Sequence, residues 1–136
     1  MATSPVTARQ KIYSDLDIAF RANPNTGDVV RKYDINSVRQ SVTNIIRTQP
    51  GERPFKPTFG CNLRRYLFEN LTPDVILAMK TTVKFSLENF EPRITLLNVE
   101  VNDDIDKNSI SITVEYFINS PEGNTDTLTL ALERFR

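Results

Sequence analysis

The segment Gly51-Glu52-Arg53-Pro54-Phe55-Lys56-Pro57-Thr58-Phe59-Gly60 limits this chain more than any other. Pro54 and Pro57 fix their own φ and push the residues before them out of the helical region. Gly51 and Gly60 permit turns that other residues resist. Such a run is neither helix nor regular strand. It is an ordered loop around which the flanking elements must be arranged, with Phe55 and Phe59 as its expected anchors.

Before the loop, Asp15-Leu16-Asp17-Ile18-Ala19-Phe20-Arg21 alternates polar and apolar residues and reads as a half-buried strand. Asn23-Pro24-Asn25-Thr26-Gly27 is a turn signal, and Asp28 to Tyr33 would return as the second strand of a hairpin. Asp34 or Asn36 can cap a helix running to about Arg47. Ile35, Val38, Val42, Ile45 and Ile46 fall on one face of it, and Arg39, Gln40 and Asn44 on the other.

After the loop, Asn62 to Asn70 reads as a short helix with Leu63, Tyr66 and Leu67 turned inward. Thr72-Pro73-Asp74 combines a capping hydroxyl with a proline in the first turn. The helix it starts should reach Asn89 or Phe90, carrying Ile76, Met79, Val83, Leu87 and Phe90 on one face, and Pro92 stops it. Ile94 to Val101 is a strand whose pattern slips: Ile94 and Leu96 share one face, Val99 and Val101 the other. A β-bulge near Leu97-Asn98 reconciles them. Asn102 to Asn108 is an acidic turn. Ile110, Ile112, Val114, Tyr116 and Ile118 then alternate, and Asn119 to Asn124 turns the chain. Thr125 to Phe135 closes it, with Leu128, Leu130 and Leu132 on one face and Thr127, Thr129 and Ala131 on the other. These three strands predict an antiparallel meander. The expected fold class is α+β, a mostly antiparallel sheet with amphipathic helices packed on one face. Residues 1–11 are expected to form a flexible or partner-ordered arm, and 12–136 a single domain.

The composition removes several functions. With 17 basic and 17 acidic residues the formal charge is zero, which argues against a general nucleic-acid binder. No histidine is present, which removes Ser-His-Asp and Cys-His schemes and most zinc sites. No metal or other cofactor is expected. The single cysteine, Cys61, cannot form an internal disulfide and reads as a small buried apolar residue. No apolar run approaches membrane-spanning length, and Met1 to Gln10 lacks the apolar core of a signal peptide.

The residues left over are binding candidates. Glu91 and Arg93 flank Pro92 at a helix-to-strand corner, either as an exposed ion pair of little consequence or as a contact for a partner. Arg53 could bind within its own fold or face a partner, and Phe55 and Phe59 could be core anchors or partner contacts. Arg47, Arg53, Lys56, Arg64 and Arg65 cluster in sequence, as do Glu88, Glu91, Glu100, Asp103, Asp104 and Asp106. Two such stretches are either solvated surface or opposed patches that steer docking. No aromatic stacking platform accompanies the basic one, so nucleic acid is a poor reading of it. The last strand could be a protected edge or one that a partner strand continues.

Gly-Glu-Arg-Pro-Phe followed by Phe59-Gly60, then Leu67-Phe68-Glu69, then Glu91-Pro92-Arg93 before a strand, resembles the lysozyme-like baseplate wedge family of contractile-tailed phages and its type VI secretion relatives. The resemblance runs from about Asp15 to the C-terminus. It implies a structural subunit, assembled in the host cytoplasm and carried in the tail baseplate of the virion. It implies that Glu91, Pro92 and Arg93 engage other wedge proteins at their helical core bundle, and Arg53 and Phe55 of the rigid loop are taken as further partner contacts beside them. It further implies that the C-terminal hairpin, through Thr125, Thr127 and Thr129, faces the tail sheath and starts its assembly by strand exchange. Tail tube or hub proteins would be further partners; nucleic acid and membrane would not.

The alternative is a tail-associated peptidoglycan hydrolase. A glycosidase needs two carboxylates flanking a sugar cleft. Glu69, Glu88 and Glu91 are the glutamates near helix ends, and nothing in their spacing pairs them. No tryptophan is available to stack on sugars. The expectation is therefore a protein that binds and does not catalyse.

Overall fold

A computed structural model describes residues 11–104 and 106–134. The expected arm therefore lies outside the described residues except for Lys11, as do Ile105, Phe135 and Arg136. The elements run β1 (Ser14–Leu16), β2 (Arg31–Tyr33), α1 (Asp34–Arg47), a 3-10 helix (Arg64–Phe68), α2 (Pro73–Phe90), β3 (Ile94–Asp104), β4 (Ser109–Ile118) and β5 (Asn124–Glu133). β1 and β2 form a small antiparallel hairpin. β3, β4 and β5 form an antiparallel sheet with β4 in the centre.

The register follows from the side-chain pattern. Ile110, Ile112, Val114, Tyr116 and Ile118 all point to one side of β4 and are buried. Opposite them on β5 lie Leu132, Leu130 and Leu128, which keep that side apolar. On β3 the register shifts between Leu96 and Asn98, so the bulge falls at Leu97 and returns Val99 and Val101 to the core side. Against this face pack Val38, Val42, Ile45 and Ile46 of α1 and Met79, Val83 and Leu87 of α2. Fully burying each such side chain stabilises the fold by about 1.5–3 kcal/mol. The Thr72 hydroxyl accepts from the Val75 amide and caps α2 as expected.

Several details depart from the sequence reading. Asp34 does not cap α1 with its side chain. Its φ is +47°, and its Oδ1 accepts from the amides of Ile12 (2.9 Å) and Tyr13 (3.2 Å), tying the chain before β1 to the helix start. Gln40, assigned to the solvent side of α1, is buried. Its Nε2 donates to the Leu16 carbonyl at 2.7 Å and its Oε1 accepts from the Ile18 amide at 3.2 Å, because the hairpin lies over it. The expected long hairpin strands shrink to three residues each, joined further out by a single Ala22–Val29 bridge.

The inner and outer sides of the hairpin are also the reverse of expectation. Asp17 is buried, whereas Leu16, Ile18 and Phe20 are 51%, 58% and 69% exposed. Phe20, at φ +48°, closes a tight turn by donating its amide to the Asp17 carbonyl. Charge satisfaction overrides the apolar pattern: Asp17 Oδ2 meets Arg21 Nε at 2.7 Å and Oδ1 meets Lys32 Nζ at 3.2 Å.

Candidate functional site

Three pieces of chain meet at one groove. The first is the corner after α2. Glu91 donates its amide to the Leu87 carbonyl, ends the helix, and is itself buried at 2% exposure. Its carboxylate takes the Arg93 guanidinium as a fork, Nε to Oε1 at 2.7 Å and Nη2 to Oε2 at 2.8 Å. The Arg93 amide also reaches Oε1 at 3.4 Å, and Nη1 donates to Ser37 Oγ on α1 at 3.4 Å. Burial alone would raise the Glu91 pKa, but the bonds from Arg93 and Ser41 and the Arg93 charge outweigh it and hold the carboxyl below its usual range. Arg93 is held above its own, chiefly by Glu91. The pair is thus not the exposed one that the bare sequence allowed: Glu91 faces inward, while Pro92 is exposed and Arg93 keeps a quarter of its side chain open.

The second piece is the proline-rich loop. The Gly51 amide donates to the Pro57 carbonyl at 2.8 Å, and the Gln49 amide to Glu52 Oε2 at 3.0 Å. The Cys61 amide donates to the Thr48 carbonyl at 2.8 Å, pinning the loop's exit to the end of α1. Gly60 makes this approach possible. A Cβ there would lie 2.4 Å from the Thr48 carbonyl oxygen. The two phenylalanines part company. Phe59 packs on Phe90 of α2, with ring centroids 5.0 Å apart, and anchors the loop. Phe55, at φ +66°, is fully exposed and anchors nothing among the described residues. Arg53 stacks over the Phe59 ring at 4.6 Å, which brings it beside the corner.

The third piece is the hairpin, whose Leu16, Ile18 and Phe20 form a rim. Together these pieces enclose a groove of about 850 Å³, lined among others by Leu16, Ile18, Phe20, Arg53, Lys56 and Arg93. Glu91, Pro92 and Arg93 line it as well, so four of the five residues singled out as partner contacts border one space; Phe55 does not. Thr125, Thr127 and Thr129 lie elsewhere, exposed on the outer side of edge strand β5. Nothing in the sequence reading pointed to the rim. The available signal was Asp17 followed four residues later by Arg21, a spacing that lets the pair close inside a turn.

The two charge clusters differ in how far they are satisfied locally. Glu91 pairs with Arg93, Glu88 with Lys84 (4.0 Å), Asp103 with Arg134 (3.6 Å) and Asp104 with Lys107 (3.3 Å). Arg65 lies over the Tyr66 ring at 4.4 Å. Among the described residues neither Arg53 nor Lys56 takes part in an ion pair. No cluster among the described residues could hold a metal ion, and no helix there is long and apolar enough to cross a membrane. Cys61 is buried, and burial pushes its thiol up to about 11.

Residues 32–122 match the family model described as baseplate wedge protein gp25, which spans more than half the chain. This chain belongs to the gp25 baseplate wedge family. It is 33% identical to baseplate wedge protein gp25 of Enterobacteria phage T4 over 122 residues, covering 90% of this chain and 92% of that one. It is 29% identical to baseplate protein W of Escherichia phage P2 over 75 residues, covering 55% and 65%. A solved structure from Geobacter sulfurreducens, provisionally described as a tail lysozyme, superposes with a TM-score of 0.67 at 25% identity, covering 73% of this chain and 89% of that one. The fold is also shared by a chain of the anti-feeding prophage baseplate, with a TM-score of 0.65 at 21% identity, covering 86% and 83%. A chain of the post-contraction pyocin R2 baseplate gives 0.54 at 24% identity, covering 83% and 96%. Membership of the gp25 family makes this chain a baseplate wedge protein, a structural component of a contractile phage tail whose neighbours are other baseplate proteins.

Proposed function

We propose that this gp25-family subunit docks on other wedge proteins through the groove, and presents β5 to the tail sheath, where it initiates sheath assembly. The observation that carries the docking reading is the convergence of the 51–60 loop and the Glu91-Pro92-Arg93 corner on one groove. Glu91 serves there as the internal clamp that fixes Arg93, and Pro92 stiffens the exposed apex, so little freedom is lost on binding. Arg53 and Lys56 are the cations left for a partner's carboxylates. For the sheath, the support is that β5 is an edge strand with Thr125, Thr127 and Thr129 exposed and its apolar residues turned to the core. Tube and hub proteins are further candidate neighbours.

The role is binding and not catalysis. A glycosidase acid needs a raised pKa. The buried carboxylates bordering the groove, Asp17 and Glu91, are instead each tied to cations and held below their usual range, Asp17 chiefly by Arg21. Glu69 does not line the groove.

The test is affinity capture of the tagged chain from cells producing whole particles, with partners identified by mass spectrometry. Wild type should bring down wedge proteins at fixed stoichiometry, with sheath protein following. Reversal of charge in Arg53→Glu/Lys56→Glu should cut wedge recovery at least tenfold. Recovery of wild type alone, under conditions where particles form, overturns the reading. The hydrolase reading would then be tested on cell-wall substrate with Glu69→Gln and Glu91→Gln.

A further inference from the structure

The hairpin rim of Leu16, Ile18 and Phe20 borders the same groove as the loop and the corner. Residues 12–31 precede the segment that matches the gp25 family model, which begins at residue 32. Within them the chain spends three large apolar side chains on solvent and buries a carboxylate in their place. A one-residue change of register would bury the apolar residues and expose the acid. The observed register is nevertheless fixed several times over: Arg21 and Lys32 hold Asp17, Gln40 holds the backbone of Leu16 and Ile18, and the Asp17 amide donates to the Val30 carbonyl at 2.9 Å. An arrangement so well specified, and so unfavourable for the isolated chain, has its use in a contact.

We infer that Leu16, Ile18 and Phe20 determine which wedge protein segment the groove accepts. The inference rests on the docking reading of the same groove and names the chemistry of the occupant. That occupant is a segment of another wedge protein with apolar side chains on one side and a carboxylate on the other. The apolar side lies against the rim. The carboxylate meets Arg53 or Lys56, because the Arg93 fork is already filled by Glu91. Charge complementarity sets the orientation, and the apolar rim supplies the discrimination, since it adds three large apolar side chains to a lining that otherwise mixes Phe59, Phe90, Pro54 and Pro92 with polar residues such as Gln40, Ser41, Asn44 and Thr48.

The test uses the full chain and the wedge protein recovered by wild-type capture, purified and titrated against variants. Leu16→Ser/Ile18→Ser/Phe20→Ser should weaken Kd at least thirtyfold with an unchanged melting temperature, because the replaced side chains are more than half exposed. Ile18→Leu should bind within twofold of wild type. If the triple variant proves less stable, Phe20→Ser alone, which touches no strand pairing, should still weaken Kd at least fivefold. Equal affinity of wild type and Phe20→Ser for a wedge protein that wild type captures overturns the inference and leaves the docking reading intact. A wild type that captures no wedge protein overturns both. Concentration-dependent dimerisation of wild type, abolished in the triple variant, assigns the rim to a second copy of this chain and also overturns it.

Discussion

Arg93 is held by its own fold on one side and borders the groove on the other, and the two roles must be separated in any mutant. Removing it leaves the Glu91 carboxylate buried without a counter-ion. Breaking a buried pair in this way costs about 3–5 kcal/mol, and the partial exposure of Arg93 reduces that to about 2–3 kcal/mol here. Arg93→Ala should therefore lower the urea midpoint, and a loss of wedge binding in that variant alone would be ambiguous. Glu91→Met/Arg93→Met should recover most of the stability, because no unpaired charge is left behind. The same pair predicts a pH effect of definite sign. The folded carboxyl lies below its ordinary value of 4.5, so its contribution is fully present above that value and disappears as pH falls through the lower folded value. Wild type minus Glu91→Gln, followed by urea unfolding from pH 7 to pH 3, should give a difference that is flat above about pH 5.5 and shrinks below it. A difference that grows on acidification would refute the assignment. At this scale the sequence showed which residues mattered but not which way they faced. Glu-Pro-Arg at a helix end marks a corner, whereas the inward setting of the pair depends on a distant helix that presents Ser41 to Glu91 and Ser37 to Arg93.

The 51–60 loop shows the same division at the scale of an element. Its glycines look alike in sequence and differ in what surrounds them. Gly51 has φ +92° with open space around a built Cβ, so Gly51→Ala should cost only the backbone strain, about 1 kcal/mol. Gly60 has φ +116° and the Thr48 backbone in the way, so Gly60→Ala adds steric displacement to strain and should cost about 3–5 kcal/mol. Thermal melts of the two variants check the order, and equal destabilisation would mean that the loop is not pinned to the end of α1. Elements with a strong local period were legible: α2 with its Thr72 cap, the β4 alternation, and the bulge at Leu97 needed to bring Val99 and Val101 inward. The β1–β2 hairpin was located but turned inside out. Alternation specifies two faces and cannot say which is covered, and here the Asp17 network decided that.

For the whole molecule, the last strand joins fold and assembly. Leu128, Leu130 and Leu132 of β5 complete the apolar side of the sheet, and Asp126 ties β5 to α1 through Arg39, with Nη2 to Oδ1 at 2.5 Å and Nε to Oδ2 at 3.0 Å. Tyr116 donates its hydroxyl to the same carboxylate at 2.7 Å. No sequence spacing announces this three-way contact, because it joins residues 39, 116 and 126 through the tertiary fold. It means that deleting residues 125 onward would remove core, ion pair and surface together, and would say little about the sheath. The outer side is separable. Thr127 and Thr129 are exposed, but Thr127 lies across from Glu115 and the Thr129 hydroxyl meets that of Thr113 at 3.2 Å, so replacing both with glutamate should lower stability by about 1–2 kcal/mol and leave the fold intact. If β5 is the strand that the sheath continues, Thr127→Glu/Thr129→Glu should still enter baseplates, as judged by wedge recovery, yet give particles with little or no sheath by negative-stain microscopy. Like charges along the edge oppose its pairing with a further strand. Arg39→Ala provides the contrast: it frees β5 from α1, so the melting temperature should fall before any assembly step is reached. Normal sheaths on particles carrying Thr127→Glu/Thr129→Glu would remove β5 from the sheath interface and move the search to the bulged opposite edge, β3.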